Sequence, residues 1–443
     1  MITNNPSQLK VFLNNLHLNV LAFETGFAVR QARKITAESL LIGFFQMMFC
    51  GEFSFRLWAN QVSRLNNVLI SFQAIAKRLD FRQEPFFHAL FQKALLSKLQ
   101  QSIHFPIHDI LKPFRRVILE DSTCFKMPKS LFEFFPGARL PHGRIACGRL
   151  QLRIDLKSYN YESIALRSYC QNDQSFADDI LRTLHKGDLI IRDLGYWSIP
   201  VFAQIINQGA YFLSRFKLGT SVLCPSTLHR MNLVSFLKNQ DRQGIHQIDM
   251  SILLSEKYRI PVRLVAIKLT DVQAAKRRRM AKVQRHKNSK ISAKARYLMT
   301  WNLLITNVEK ETWDMRSVYH AYTLRWHIET MFKCWKSKFN FTAFFKNCHG
   351  RNPIKPEIIL LLILSGFVLF YMRQFNHCSN IIWKRYNRIL SPLRFADYLM
   401  ANHETFYRKI PDRMLQAIAY YCCYDKRKDR LNHFEKTYMN FLS

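Results

Sequence analysis

To about residue 105 the chain sets apolar residues three and four apart, the spacing of helices that bury one face. Thr36 stands where it would cap the helix ESLLIGFFQMMF, its hydroxyl accepting from a free first-turn N–H. The stretch SFRLWANQVSRLNNVLISFQAIAKRL predicts two short helices joined near Asn66 and Asn67. That pattern fits a helix-turn-helix whose second member offers Ser71, Gln73, Lys77 and Arg78 to DNA. It fits an ordinary helical hairpin equally well.

From Arg116 the period changes. VILEDST is a continuous apolar run ending in a carboxylate, RLQLRIDLKSY and ESIALRSYC alternate, and DLIIRDLG is a second apolar run ending in a carboxylate. Helical segments are expected near 174–185 and 198–208, and YFLSRFKL supplies a fifth strand. Three strands, then helix, strand, helix and strand, predict an α/β layout of the ribonuclease-H type. Acidic residues of such a layout sit at the ends of two neighbouring central strands, and Asp121 and Asp193 take those places.

Between about 220 and 310, RIPVRLVAIKL and YLMTWNLLITNV read as strands, separated by a segment in which Lys276 to Arg296 carry ten basic residues and no acidic one. A solvated face or flexible arm is one account of such a run; a surface that tracks DNA is the other. A helix over about 313–339 follows. Within it, YTLRWHIETMFKCWK places Tyr322, Arg325, Glu329 and Lys336 in an arc of roughly 60° at 3.6 residues per turn. Leu324, Ile328, Met331, Phe332, Trp335 and Phe339 fall in the adjoining arc, so the helix should dock on a core while holding a carboxylate between two cations. KNCHGRNPIKPE reads as a linker because of Gly350, Pro353 and Pro356, and the rest of the chain is helical.

Charge narrows the function. Sixty-six Lys and Arg against 31 Asp and Glu give a formal charge of +35, which suits a polyanionic partner, and nucleic acid leads. The positive charge is spread along the chain instead of gathered beside an amphipathic anchor, which disfavours a membrane surface. The apolar run from Ile358 to Met372 is short of the ~20 residues of a bilayer span and is expected as a buried helix. Ten scattered cysteines without a CxxC pair read as reduced thiols, and neither Cys422–Cys423 nor Cys348–His349 has zinc-ligand spacing. No signal peptide is evident in MITNNPSQLK, so a cytoplasmic location is expected.

Three carboxylates are candidates for one metal site: Asp121, Asp193 and Glu329. Hard divalent cations prefer oxygen ligands, and three carboxylates could hold two Mg²⁺ or Mn²⁺ ions for in-line displacement at phosphorus. The helix face around Glu329 adds Arg325 for planar, two-pronged contacts to phosphate and Lys336 as a point charge. An ordinary salt bridge between Arg325 and Glu329 on a solvated helix is the bland alternative.

The motifs LEDST, IRDLGYWS and YTLRWHIETMFKCWK, in that order, resemble the signature of the IS4 family of DDE transposases. The Tyr-Arg-Glu-Lys spacing of the third motif has no departure. The resemblance implies a ribonuclease-H-like core with a mainly β insertion, flanked by helical domains, in a prokaryotic enzyme of the nucleoid. It assigns Asp121, Asp193 and Glu329 as metal ligands and Tyr322, Arg325 and Lys336 as phosphate contacts. Arg215, ending YFLSRF, resembles an arginine near the DNA backbone. TGFAVRQARKIT resembles a basic N-terminal segment, which would bring Arg30, Arg33 and Lys34 to DNA beside Lys77 and Arg78. Trp301 resembles a tryptophan that stacks on a flipped base, although a core aromatic is the equal alternative. Arg277, Arg278 and Arg279 of the basic run would join the DNA surface.

The expected organisation is thus a helical DNA-binding domain (1–105), the first part of the core (106–219), a β-rich insertion with a basic arm (220–310), the core's catalytic helix (311–350) and a C-terminal helical domain (357–443). The expected activity is binding of double-stranded DNA at terminal inverted repeats, pairing of two ends by a homodimer, metal-dependent strand cleavage and strand transfer into target DNA. A DNA-binding repressor that occupies ends without cutting, or a ribonuclease-H-like nuclease of other substrates, are the competing functions.

Overall fold

Runs that are apolar at every position belong in strands covered on both faces, and the central strands follow that rule. The computed structural model describes residues 16–30, 34–50, 53–80, 83–96, 108–140, 143–158, 160–283, 291–347, 355–402 and 410–424. Its strands are β1 (Val117–Met127), β2 (Pro136–Leu140), β3 (Gly143–Asp155), β4 (Asn160–Ser168), β5 (Leu189–Arg192), β6 (Tyr211–Arg215), β7 (Val222–Leu223), β8 (Gln247–Leu254), β9 (Ile260–Lys268) and β10 (Trp301–Thr306). They form one sheet in the order β2-β3-β1-β5-β6-β10-β9-β8-β7, with β4 paired to β3 off this path. β1, β5 and β6 are mutually parallel and β3 runs antiparallel to β1.

Alternation along the strands separates two apolar cores. Leu119, Ile191, Leu213 and Leu304 face the first, which also takes in the helices before and after the sheet. Ile118, Ile190, Phe212, Leu303 and Ile305 face the second, which the helix Ile199–Asn207 covers and to which Ile252 of β8 and Leu264 of β9 also contribute.

Several expectations change in detail. The segment near 174–185 forms two 3₁₀ turns, Asp173–Phe176 and Asp179–Arg182, in place of an α-helix. Asp121 does not end its strand. β1 continues to Met127 because β3 keeps pairing with it, although the parallel pairing with β5 stops at Glu120 opposite Arg192. The 220–310 block extends the same sheet through β7–β10, and it includes helices at Leu233–Arg242, Asp271–Val283 and Ala293–Leu298. β8 was missed, although QIDMSILL alternates Gln247, Asp249 and Ser251 on one face with Ile248, Met250, Ile252 and Leu254 on the other.

The 313–339 helix is two helices, Met315–Thr323 and Trp326–Ser337. At the junction Leu324 N–H donates to Ala321 O at 3.1 Å and Arg325 N–H to Tyr322 O at 3.2 Å, a tighter 3₁₀ step that re-aims the following helix. The expected apolar arc is buried: Leu324, Ile328, Phe332, Trp335 and Phe339 are each 5 % exposed or less.

In the N-terminal part, Thr36 caps the helix Ala37–Phe49 in a reciprocal pair with Ser39. Asn67, at φ +51°, ends the helix Phe55–Asn66. The second member of that hairpin is short, Phe72–Ala76 followed by a single 3₁₀ turn. In the C-terminal part, Pro356–Gly366 continues through a π-helical turn into Arg373–Tyr386. This is long and apolar enough to cross a membrane by length and composition, but its apolar stretch is 94 % buried inside the protein, as a core helix is.

Both helical ends pack into one unit. Phe44 meets Phe344 edge to face at 5.8 Å between centroids, and Phe49 meets Phe339 and Phe370 at 5.6 and 4.4 Å. Gly366 lets the two layers approach, since a Cβ there would stand 2.8 Å from the Phe45 ring. Phe339 has no exposed surface and also touches Phe367 and Tyr371. Phe339→Ala should therefore lower stability by ~3–5 kcal/mol in urea unfolding. A loss below ~1 kcal/mol would mean that this junction is not packed as described.

Candidate active site

Asp121 and Asp193 stand one residue beyond the Glu120–Arg192 pair that closes the β1–β5 ladder. They share the face of Leu119 and Ile191, the face on which the 315–337 helices lie. Arg215, at the end of β6, points the same way and donates to Asp193 Oδ1 at 2.6 Å. Tyr322 Oη donates to the same oxygen at 3.4 Å. Arg325 bridges the remaining carboxylates, with Nη1 3.0 Å from Asp121 Oδ2 and Nη2 2.6 Å from Glu329 Oε1. Tyr322 and Arg325 are only 9 % and 7 % exposed, so they face the sheet and not solvent.

The electrostatics follow from burying like charges together. Burial pushes the Asp121 carboxyl up to about 7 against the pull of Arg325 and the Ser122 N–H, and Asp193 and Glu329 add to the rise. Burial would raise Asp193 as well, but Arg215 and Arg325 outweigh it and hold that carboxyl below its usual range. Burial also raises the Tyr322 hydroxyl, which stays protonated and serves as a donor.

A divalent ion can be judged against this donor set. Three carboxylates from three elements lie near one another, two of them on the Arg325 guanidinium and Asp193 on Arg215; oxygen donors of this kind suit Mg²⁺ or Mn²⁺. Arg325 stands between the carboxylates, and among the described residues no three Asp, Glu, His or Cys side chains are grouped as ligands of a single ion.

The other expected contacts divide. Lys336 lies apart from the cluster, its ammonium donating to Cys124 O on β1 at 2.7 Å, three residues beyond Asp121. Arg277 turns inward from its helix and donates to Trp301 O at 2.7 Å. Burial and then the neighbouring Arg215 pull its guanidinium below the ordinary range. Arg278 is half-buried and Arg279 exposed. Arg30, Lys34 and Lys77 are exposed, Arg78 is half-buried with its guanidinium 5.8 Å from the Phe27 ring centroid, and Arg33 lies outside the described residues.

Trp301 takes the core alternative in this conformation. It has no exposed surface, lies on the sheet face of Leu303 and Ile305, away from Asp121, and carries the Lys268 ammonium 5.1 Å from its ring centroid. A period of two explains this, since Trp301 and Leu304 point to opposite faces.

Sequence reasoning missed a polar group under the aspartates. Ser122 Oγ donates to Asp173 Oδ1 at 2.6 Å, and Arg149 donates to the same oxygen at 2.8 Å. Gly195 abuts Asp173, where an added Cβ would stand 2.8 Å from its Oδ2. Only the glycine two residues after Asp193 hinted at this close approach.

The sequence profile of the transposase DDE domain matches residues 112–365, more than half of the chain and the span that carries all three carboxylates. The chain belongs to this transposase DDE domain family. Among its relatives, the transposase for insertion sequence element IS231F of Bacillus thuringiensis subsp. israelensis is 29 % identical over 397 residues, covering 83 % of this chain and 80 % of the relative. The transposase for insertion sequence element IS1151 of Clostridium perfringens is 28 % identical over 326 residues, covering 67 % and 66 %. A solved piggyBac transposase synaptic complex with hairpin DNA aligns over 96 % of this chain and 87 % of its own, with a TM-score of 0.39 and 11 % identity.

In this DDE domain Gly195→Ala should displace Asp173 from Ser122 and disturb both aspartate-bearing segments. DNA strand cleavage should slow by about tenfold or more, a sub-ångström misplacement being costly, while the melting temperature changes little. Cleavage at the parental rate would show that Asp173 does not brace the site.

Proposed function

We propose that this chain is the transposase of an IS4-type insertion sequence, binding the element's terminal inverted repeats and pairing two ends as a homodimer. It cuts a DNA strand by hydrolysis to free a 3′ hydroxyl and then directs that hydroxyl into a target phosphodiester. The observation that carries this reading is that Asp121, Asp193 and Glu329, from three separate elements, are held by one set of cations inside the DDE domain, Asp121 and Glu329 by Arg325 and Asp193 by Arg215. Asp121, Asp193 and Glu329 would hold two Mg²⁺ or Mn²⁺ ions, which when bound supply an activated attacking oxygen and a stabilised leaving oxygen.

The chain's own groups do the positioning. Arg325, freed from Asp121 and Glu329, presents two parallel donors to a phosphate, while Arg215 and Arg277 line the same approach and Lys336 meets the strand farther along β1. Tyr322, buried and protonated, binds and does not attack, so no covalent protein–DNA intermediate is needed. Exposed Arg30, Lys77 and Arg279, with half-buried Arg78 and Arg278, extend the positive surface away from the cut.

The test uses the full chain, linear DNA bearing the inverted repeats that flank its gene, and Mg²⁺ or Mn²⁺. Glu329→Gln should abolish strand cleavage while end binding, read by gel shift, stays at the parental level. Normal metal-dependent cutting by that variant would sink the site. Arg279→Ala should weaken end binding and lower the slope of log K against log salt by about 1. An unchanged slope would take Arg279 off the DNA path.

A further inference from the structure

On the face of the sheet opposite Asp121 and Asp193, a second set of charges is closed off from water. Arg153 Nε from β3 donates to Glu120 Oε1 on β1 at 2.6 Å, and Arg192 Nη2 from β5 forms an ion pair with Glu120 Oε2 at 2.6 Å. Glu120, Arg192 and Arg153 are 2 %, 1 % and 8 % exposed. Each pair lies directly across a ladder, Glu120 opposite Arg192 in the parallel pairing and opposite Arg153 in the antiparallel one.

Stability does not call for such a triad. Two guanidiniums and one carboxylate leave a net positive charge in the interior, and Arg192 Nε and Nη1 have no hydrogen-bond partner. Well-packed apolar side chains in place of a buried ion-pair triad are often neutral or stabilising. What apolar groups do poorly is fix register. β5 is only four residues long, and Leu189, Ile190 and Ile191 are alike enough to accept a two-residue slip along the apolar start of β1. Arg192 is the one residue of β5 that distinguishes the correct register, because only there does it meet Glu120. It also donates to Ala177 O at 2.8 Å and stacks 5.5 Å from the Tyr196 ring centroid, tying down the turn that follows Asp193.

We propose that Glu120, Arg153 and Arg192 are positioning residues: a buried register lock that sets Asp121 and Asp193 side by side, each being the next residue along its strand. The inference rests on the proposed role of those aspartates as metal ligands, and it assigns the triad to alignment of the site and not to the stability of the fold.

The experiment compares three full-length variants with the parent. In Glu120→Met/Arg153→Leu/Arg192→Met the triad becomes apolar at similar volume. Its melting temperature and metal-free end binding should stay near parental values, whereas cleavage should slow by about a hundredfold. The rise in melting temperature that Mn²⁺ gives the parent should shrink or vanish. In Glu120→Arg/Arg153→Glu/Arg192→Glu the pairings return with signs reversed, and at least a tenth of the parental rate should return with them. Parental cleavage and parental Mn²⁺ stabilisation in the apolar variant would overturn the lock. Should the apolar variant fail to fold, the reversed triad decides: folding without cutting overturns the lock, and cutting supports it. Asp121→Asn runs alongside. If it cuts normally, the reading of the site itself has failed; if it is inactive while the apolar triad cuts normally, only the lock has failed.

Discussion

Three carboxylates that lie far apart in the chain share one poorly solvated space, and the rest of the architecture answers that constraint. Like charges at close range in a low-dielectric setting repel strongly, so the arrangement persists only with cations among them. Arg325 and Arg215 fill that role here, with Arg277 close by. The parallel β1–β5 pairing brings two of the acids together, and the helix from Trp326 carries the third across the same face. The geometry therefore describes a protein at rest, in which the groups proposed to grip phosphate are engaged in neutralising the groups proposed to grip metal.

Most of this centre was legible because its signals are local. VILED and LIIRD announce buried strands that end their apolar runs in acids, and the spacing of Tyr322, Arg325 and Glu329 holds across a change of helix. The break at Leu324–Arg325 was not legible, since neither residue disfavours a helix and the 3₁₀ step follows from docking on the sheet. Lys336 shows the limit of a helical wheel: it shares the arc of Glu329 yet stands two turns farther along, beside Cys124.

Other misses came from contacts between distant segments. The role of Asp173 depends on Ser122, Arg149 and Gly195, which no periodicity joins. Arg277 looked like one of three equivalent arginines in a basic run, and only packing against β10 separates it from Arg278 and Arg279. Trp301 was undecided between DNA and core until its sheet face was known.

The shared core of the two helical ends bears on how the chain is made. The apolar surface of Ala37–Phe49 leaves the ribosome early, but Phe339, Gly366 and Phe370, which cover it, are synthesised some three hundred residues later. Until then the nascent chain exposes that surface and invites chaperones. A polypeptide released before residue 356 would lack the covering helix, so premature termination yields material for proteolysis and not a shortened competitor for DNA ends.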